Sequence, residues 1–205
     1  MRSSNRNGIL LAAVLLAVWT AGAGAQRFQA RPDWMVGVAW GFGRGVFEDP
    51  AGERSAYRSG SAPQIHFGRA LGAHAMVSAD YEAWMIEFGD VPLKHRRGLQ
   101  NLLFGVSVFP GDPDGVTGGI YLRGAAGVGW TGTAEVPVVE GEEQGHGERV
   151  DEWGWGASVG AGYEFWVAPN FTTGVGASFD YLDIGETTVE RAGFASVVLD
   201  LNLYF

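Results

Sequence analysis

Alternation of large apolar residues with small or polar ones is the feature that most constrains how this chain can fold. In the stretch 34–44, one face carries Trp34, Val36, Val38, Trp40 and Phe42, and the residues between them are mostly glycine and alanine. A period of two residues is the pattern of a β-strand with two different faces. Eight segments show it: 34–44, 63–71, 75–86, 98–109, 119–130, 152–166, 171–183 and 192–205. No window has a comparable 3.6-residue stripe, so the sequence predicts an all-β chain without helices.

The segments between these strands alternate in length. Those after the second, fourth and sixth strands are short, at 72–74, 110–118 and 167–170. Those after the first, third, fifth and seventh are longer, at 45–62, 87–97, 131–151 and 184–191. Short turns at one end and long loops at the other are typical of an outer-membrane barrel, whose short turns face the periplasm. The pattern predicts an eight-stranded antiparallel up-and-down transmembrane β-barrel with long extracellular loops.

The apolar face of each strand can point either to lipid or to a soluble core. A lipocalin-like soluble barrel would place that face inside, whereas a membrane barrel places it outside. The membrane is favoured because charged residues make up only 18% of the chain, fewer than a soluble surface needs. Aromatic residues also crowd near the strand ends, where interfacial girdles lie: Trp34, Trp40, Trp84, Trp130, Trp153, Trp155 and Phe171.

The first 25 residues have the layout of a secretory signal peptide. Arg2 and Arg6 precede an uncharged apolar stretch, and Ala23 and Ala25 form an A-x-A-like cleavage site. The alternative is a membrane anchor, for which the apolar stretch is of borderline length. We therefore expect cleavage after Ala25, a periplasmic leader over 26–33 and the barrel over 34–205.

Composition excludes several classes of protein. The net charge of −9 argues against a nucleic-acid partner. The chain has no cysteine, which excludes disulfide scaffolds, zinc fingers and lipid-anchored lipoproteins. An acidic segment could attract divalent cations, but its spacing fits no standard ligand motif, so we expect a solvated loop, no metal site and no cofactor. Its residues are Glu140, Glu142, Glu143, His146 and Glu148.

The row predicted to face the lumen combines glycine with a few ionisable groups. They are Arg123, Asp80, Glu82, Glu164, Asp180 and Asp200. Because buried charges are tolerated only when they are paired, Arg123 is expected to pair with one or more of these acids. Glu164 on the neighbouring strand is one candidate, and Asp80, Glu82 and Asp200 are alternatives. The cluster is either a static structural ion pair or a gate.

The densest basic run is Lys94-His95-Arg96-Arg97. It is expected to end the second long loop, at the extracellular rim, where lipopolysaccharide displays phosphates. Lys94, Arg96 and Arg97 are therefore candidates for lipopolysaccharide contact. The equal alternative is pairing within the protein, with Glu87, Asp90 or the acidic loop 135–152.

Three stretches resemble the small outer-membrane β-barrel family that includes the OmpA transmembrane domain and OmpX. Residues 160–183 are similar to that family's penultimate hairpin, and residues 121–129 are similar to its fifth strand. The end of the chain, 199–205, resembles the family's sorting signal. The resemblance implies an outer-membrane barrel, a monomer in contact with membrane lipid, whose Phe205, Leu203 and Leu201 are read by the barrel-assembly machinery.

Three classes of function fit this chain. The first is a structural or surface-interaction role, with loops exposed to the exterior, and the second is a small pore or conduit for small molecules. The third is a lipid A-modifying enzyme, since some barrels of this size are deacylases or palmitoyltransferases. The four histidines do not support an enzyme, because none is followed two residues later by serine as in the deacylases. We therefore expect no catalytic residues.

Overall fold

A computed structural model describes residues 33–88, 93–112, 116–139, 142–143, 149–184 and 191–205 of the 205-residue chain. The predicted signal peptide and all of the predicted leader except Asp33 lie outside the described residues. The strands are β1 (Trp34–Glu48), β2 (Arg58–Ala70), β3 (Ala75–Phe88), β4 (Leu93–Val108), β5 (Ile120–Val139), β6 (Glu142–Glu143), β7 (Arg149–Ala168), β8 (Phe171–Asp183) and β9 (Arg191–Tyr204).

Eight of these strands form a closed antiparallel barrel. Each pairs with its neighbours in the order β4-β3-β2-β1-β9-β8-β7-β5, and β4 pairs with β5 to close the wall. The two-residue β6 pairs only with the end of β5, where Val138 lies opposite Glu143. The predicted eight-stranded up-and-down barrel is confirmed, and no helix among the described residues is long and apolar enough to cross a membrane.

The outer surface of the barrel is apolar along the membrane-facing part of every strand. On β1, Trp40 and Phe42 are 58% and 75% exposed, while Met35 and Ala39 on the opposite face are buried. On β9 the exposed row is Val197, Leu199, Leu201 and Leu203, and Phe205 directly after the strand continues it. Water would disfavour so much exposed apolar surface, whereas a lipid bilayer accommodates it. The apolar rows therefore face lipid, as predicted.

Most strands are longer than the alternation predicted, and most of the extra residues lie at the extracellular end. The first strand continues to Glu48 and the fourth begins at Leu93. The third begins at Ala75 as predicted but ends at Phe88, and β5 and β7 each have 20 residues. The backbone ladder continues there, but both strand faces lie outside the hydrocarbon, so the sequence loses the two-sided pattern that marks a membrane strand.

The described residues contain no α-helix, as predicted, and the connection between β4 and β5 includes only a four-residue 3-10 turn, η1 (Val116–Gly119). One expectation about the aromatic residues was wrong. Trp84 is not part of an interfacial girdle, because its side chain is fully buried inside the barrel. It shares the inward parity of Glu82 on β3 and lies against Gly43 on β1, where the missing side chain leaves room for the indole ring.

The interior of the barrel has three layers. The extracellular cluster consists of buried apolar residues: Phe47, Trp84, Ile86, Leu99, Leu182, Ile184, Ala192 and Phe194. The periplasmic cluster consists of Met35, Met76, Phe109 and Tyr204, with Tyr121 and Trp166 packed against it. Between them lies a central polar layer that holds the ionisable residues predicted for the lumen. An eight-stranded barrel is just wide enough for its own side chains to fill it in this way.

Candidate functional site: the lumenal polar layer

Arg123 is the main cation of the central polar layer. Its Nη2 lies 2.7 Å from Oδ2 of Asp80, and its Nη1 lies 2.5 Å from Oε1 of Glu82. Both carboxylates are almost completely buried, and the arginine side chain is only 11% exposed. A planar guanidinium can pair with two carboxylates at once because it offers several donors in a fixed geometry. One cation thus serves two carboxylates that project from the same strand.

His66 extends this network to a second strand. The Nδ1 of His66 lies 2.8 Å from Oδ1 of Asp80. The other carboxylate oxygen, Oδ2, accepts a 2.7 Å hydrogen bond from the Ser78 hydroxyl. Asp80 therefore has partners at both oxygens. His66 was not part of the predicted ion cluster. The available signal was its parity on β2, since His66 lies directly opposite Asp80 in the β2–β3 register.

Glu164 was a predicted candidate partner of Arg123, but its side chain lies in a different set of contacts. Its carboxylate accepts hydrogen bonds from the Tyr204 hydroxyl at 2.8 Å and from the Asn202 amide at 2.9 Å. The Thr172 hydroxyl donates a third at 3.2 Å. Three donors from β8 and β9 thus hold Glu164 just above the periplasmic cluster. The ion pairs of Arg123 run instead to Asp80 and Glu82, two of the alternatives.

The remaining two acids lie on β8 and β9. Asp180 is fully buried, accepts a 2.9 Å hydrogen bond from the Ser178 hydroxyl, and faces the carboxyl group of Glu82 across the lumen. Asp200 accepts a 3.5 Å hydrogen bond from the Tyr121 hydroxyl. The layer therefore brings together all six ionisable residues singled out in the sequence, with more carboxyl groups than cations.

A cavity of about 60 Å³ opens among these groups. Its walls include polar side chains of His66, Asp80, Arg123, Glu164 and Asp200. A space of this size and polarity can hold ordered water, which needs two to four polar partners. Water in the cavity would give further hydrogen bonds to the buried charges.

Apolar residues pack on both sides of the polar layer, and those of the periplasmic cluster also line this cavity. In the extracellular cluster, Trp84 stacks between Phe47 and Phe194, with ring centroids 5.4 Å and 5.3 Å away. In the periplasmic cluster, Trp166 contacts Tyr204 at 5.0 Å and Phe109 contacts Tyr121 at 6.0 Å. The extracellular stack therefore fills the lumen on that side of the polar layer.

The geometry of the layer does not form a nucleophile–base pair. Covalent hydrolysis by serine needs a hydroxyl that donates to a base such as histidine. Ser78 donates to Asp80, and His66 uses its Nδ1 for the same carboxyl group. Within the described ranges, no group of three or more His, Asp or Glu side chains could hold a metal ion.

The basic run at the extracellular rim lies in a strand and not in a loop. Its backbone is part of β4, where Lys94 lies opposite Val136 and Arg96 lies opposite Ala134 on β5. The Arg97 guanidinium lies inside, 4.9 Å above the ring of the buried Phe47, and Glu152 is near enough to interact with it electrostatically. Arg97 is thus a second inward arginine beside Arg123, contrary to the expectation that its side chain contacts lipopolysaccharide.

The C-terminal residues named for assembly all lie on the lipid-facing row. Leu201 and Leu203 are each 47% exposed, and Phe205 is 59% exposed. The backbone of Phe205 exchanges two hydrogen bonds with Trp34, at 2.9 Å and 3.0 Å. The last residue of the chain therefore also completes the seam with the first strand.

No protein-family model matches the chain, and no curated protein matches it. Solved structures do. Neisserial surface protein A is 15% identical, with a TM-score of 0.52 over 86% of this chain and 99% of that one. Ail, the attachment invasion locus protein of Yersinia pestis, solved with the heparin analogue sucrose octasulfate, is 14% identical, with a TM-score of 0.52 over 84% and 99%. The chain therefore has the fold of the small eight-stranded outer-membrane β-barrels.

Proposed function

We propose that this protein is an integral barrel of the bacterial outer membrane with a structural or surface-interaction role, its extracellular end exposed to the exterior. The partners proposed for it are membrane lipid, lipopolysaccharide at the rim, and the barrel-assembly machinery during biogenesis. The barrel works as a monomer in this proposal, because the wall closes on itself without a second chain.

The observation that carries the proposal is the extension of the sheet beyond the membrane. A tilted strand of 20 residues, the length of β5 and of β7, spans roughly 50 Å along the barrel axis, about twice the height of the apolar band. The β5–β7 ladder continues without interruption to the pair Ala134–Arg149. This continuous ladder gives the extracellular end a rigid backbone on which loops can be presented to a partner.

The packing of the lumen supports this role over that of a pore. The extracellular cluster fills the barrel below the projecting strands, and the central polar layer is crossed by ion pairs. A conduit needs a continuous path, and the extracellular cluster would have to separate to open one. A lipid A-modifying enzyme is also not supported, because the Ser78–Asp80–His66 arrangement lacks an activated hydroxyl.

The printed names of the two similar structures fit an exterior role. One is called a surface protein, and the other is an attachment invasion locus protein solved with a heparin analogue. At the sequence identities involved, these names describe those proteins, and they support the proposal only through the shared fold.

Cysteine labelling on intact cells tests the orientation. The native chain has no cysteine, so Ala51→Cys in the exposed β1–β2 connection and Asn170→Cys in the β7–β8 turn each give one reactive site. A membrane-impermeant maleimide should label Ala51→Cys on intact cells and Asn170→Cys only after lysis. Labelling of Asn170→Cys on intact cells would contradict the orientation and with it the surface role.

Planar-bilayer recording of the refolded protein separates the surface role from the pore. Wild type should show no stepwise conductance, because the extracellular cluster remains packed. Reproducible single-channel steps that scale with protein concentration would favour the conduit instead.

A further inference from the structure

A concave apolar surface lies on the lipid-facing side of the wall, on β2 to β5 and β7. This outer groove has a volume of about 850 Å³. Large and small side chains alternate across it at one level: Phe67 on β2, Ala79 on β3, Phe104 on β4, then Ala126 and Ala157 on β5 and β7. The groove belongs neither to the lumen nor to the extracellular rim.

Phe104 divides the outer groove into two troughs. Its ring is 71% exposed, and its two lateral neighbours in the sheet are Ala79 and Ala126. The second trough continues over Gly124, where an added Cβ would meet no atom within 4 Å. The outer walls are Phe67 on one side and Val159 on the other. Each trough therefore has a floor of small residues and walls of larger apolar ones.

A cation lies at the periplasmic end of the first trough. Arg69 is exposed, and its guanidinium carbon is 5.3 Å from the ring centroid of Trp34, which stacks on Phe67 at 5.3 Å. Within the described part of the chain Arg69 makes no ion pair. Arg69 and Trp34 lie opposite each other near the periplasmic ends of β2 and β1, at the level where lipid headgroups meet water.

We propose that the outer groove binds one phospholipid of the periplasmic leaflet. Its phosphate contacts Arg69, and its two acyl chains lie one on each side of Phe104. Charge complementarity selects this occupant, because guanidinium matches the geometry of a phosphate and the groove beside Arg69 is apolar. The position of Arg69 at the periplasmic end selects the inner leaflet over lipopolysaccharide.

Native mass spectrometry of the purified, folded protein with 1-palmitoyl-2-oleoyl-phosphatidylglycerol tests this site. Ala79→Phe and Ala126→Phe each fill one trough, and Arg69→Gln removes the charge. Ala177→Phe is the matched control, because Ala177 is also exposed and faces lipid on β8, outside the groove. Heat-modifiable migration in gels verifies that each variant is folded before it is measured.

Wild type and Ala177→Phe should each retain one phospholipid after detergent is removed. The two trough-filling variants and Arg69→Gln should retain it with about tenfold lower affinity. Equal retention by all five proteins, or none by wild type, would overturn the site. Loss in the filled variants but not in Arg69→Gln would overturn the phosphate contact. A dimer of wild type that Ala126→Phe abolishes would show that a second copy occupies the groove and would overturn the proposal.

Discussion

Arg123 and Asp80 form an ion pair with Nη2 and Oδ2 2.7 Å apart, although their strands are not neighbours. Arg123 projects from β5 and Asp80 from β3, and β4 lies between them in the wall. The contact therefore crosses the interior of the barrel and does not run along its surface. Because Glu82 shares the same guanidinium, this cation ties the polar layer together.

Replacing Arg123 with glutamine should destabilise the folded barrel by about 3–5 kcal/mol, because it leaves two buried carboxylates without their cation. Urea unfolding of the refolded protein in lipid vesicles, followed by tryptophan fluorescence, measures the change. The control is Arg54→Gln, which removes an ion pair to Glu48 in which the arginine is 75% exposed, and should cost at most about 1 kcal/mol. An equal loss of stability in the two variants would show that the buried ion pairs of Arg123 contribute no more than an exposed one.

Truncation of Trp84 to alanine should destabilise the barrel by about 3–5 kcal/mol, because it leaves a cavity between Phe47 and Phe194. If the extracellular cluster is what closes the lumen, the double change Trp84→Ala/Phe194→Ala should also give measurable conductance in planar bilayers. Trp40→Ala is the comparison, since Trp40 is 58% exposed to lipid and its removal should not alter conductance. A double variant as silent as wild type would place the barrier elsewhere in the lumen.

Arg97 and the pair Lys94 and Arg96 should differ in how their replacement affects thermal stability. Arg97→Gln should lower thermal stability to the same extent with and without lipopolysaccharide, because Arg97 packs inward over Phe47. If the proposed rim contact exists, Lys94→Gln/Arg96→Gln should instead reduce the stability gained when lipopolysaccharide is added. Thermal unfolding of the three proteins with and without lipopolysaccharide measures both. A gain equal to that of wild type in the double variant would leave pairing within the protein as the role of Lys94 and Arg96.

Phe205 should contribute to assembly in two separable ways. Deleting it removes both the exposed ring and the two backbone hydrogen bonds to Trp34, whereas Phe205→Ala removes only the ring. If the ring is the sorting signal, both variants should lower the heat-modifiable fraction recovered from outer membranes by a similar amount. Normal recovery of Phe205→Ala would assign any loss in the deletion variant to the broken seam. The spontaneous refolding yield in detergent is the control for intrinsic stability.

The membrane-spanning part of the fold could be predicted because each strand there has one face in lipid and one in the lumen. That asymmetry produces the alternation of apolar and small or polar residues. The alternation in turn predicts correctly that Trp40 faces lipid and that Asp80 faces the lumen. The predicted bounds of β8 agree with the structure. The extracellular end of β5, residues 131–139, could not be predicted, since outside the membrane no such asymmetry acts on the sequence.

The partners within the candidate site were harder to predict than its members. Parity placed Arg123 and Glu164 in the lumen together, but strand adjacency does not decide which charges meet when side chains cross a narrow interior. Trp84 shows a related limit. A tryptophan near a strand end fits an interfacial girdle, yet in this barrel the glycine at position 43 makes space for the indole inside.

The seam between β1 and β9 determines when this protein can acquire its structure. Its ladder runs from Met35–Tyr204 to Glu48–Arg191, so it joins residues almost a whole domain apart in sequence. Contacts of such high sequence separation form slowly, since a long loop must close before any of them is gained. Until the last strand has been synthesised, the first strand has an unpaired edge, which is a site for aggregation. The nascent chain therefore depends on being kept unfolded until its final residues are available.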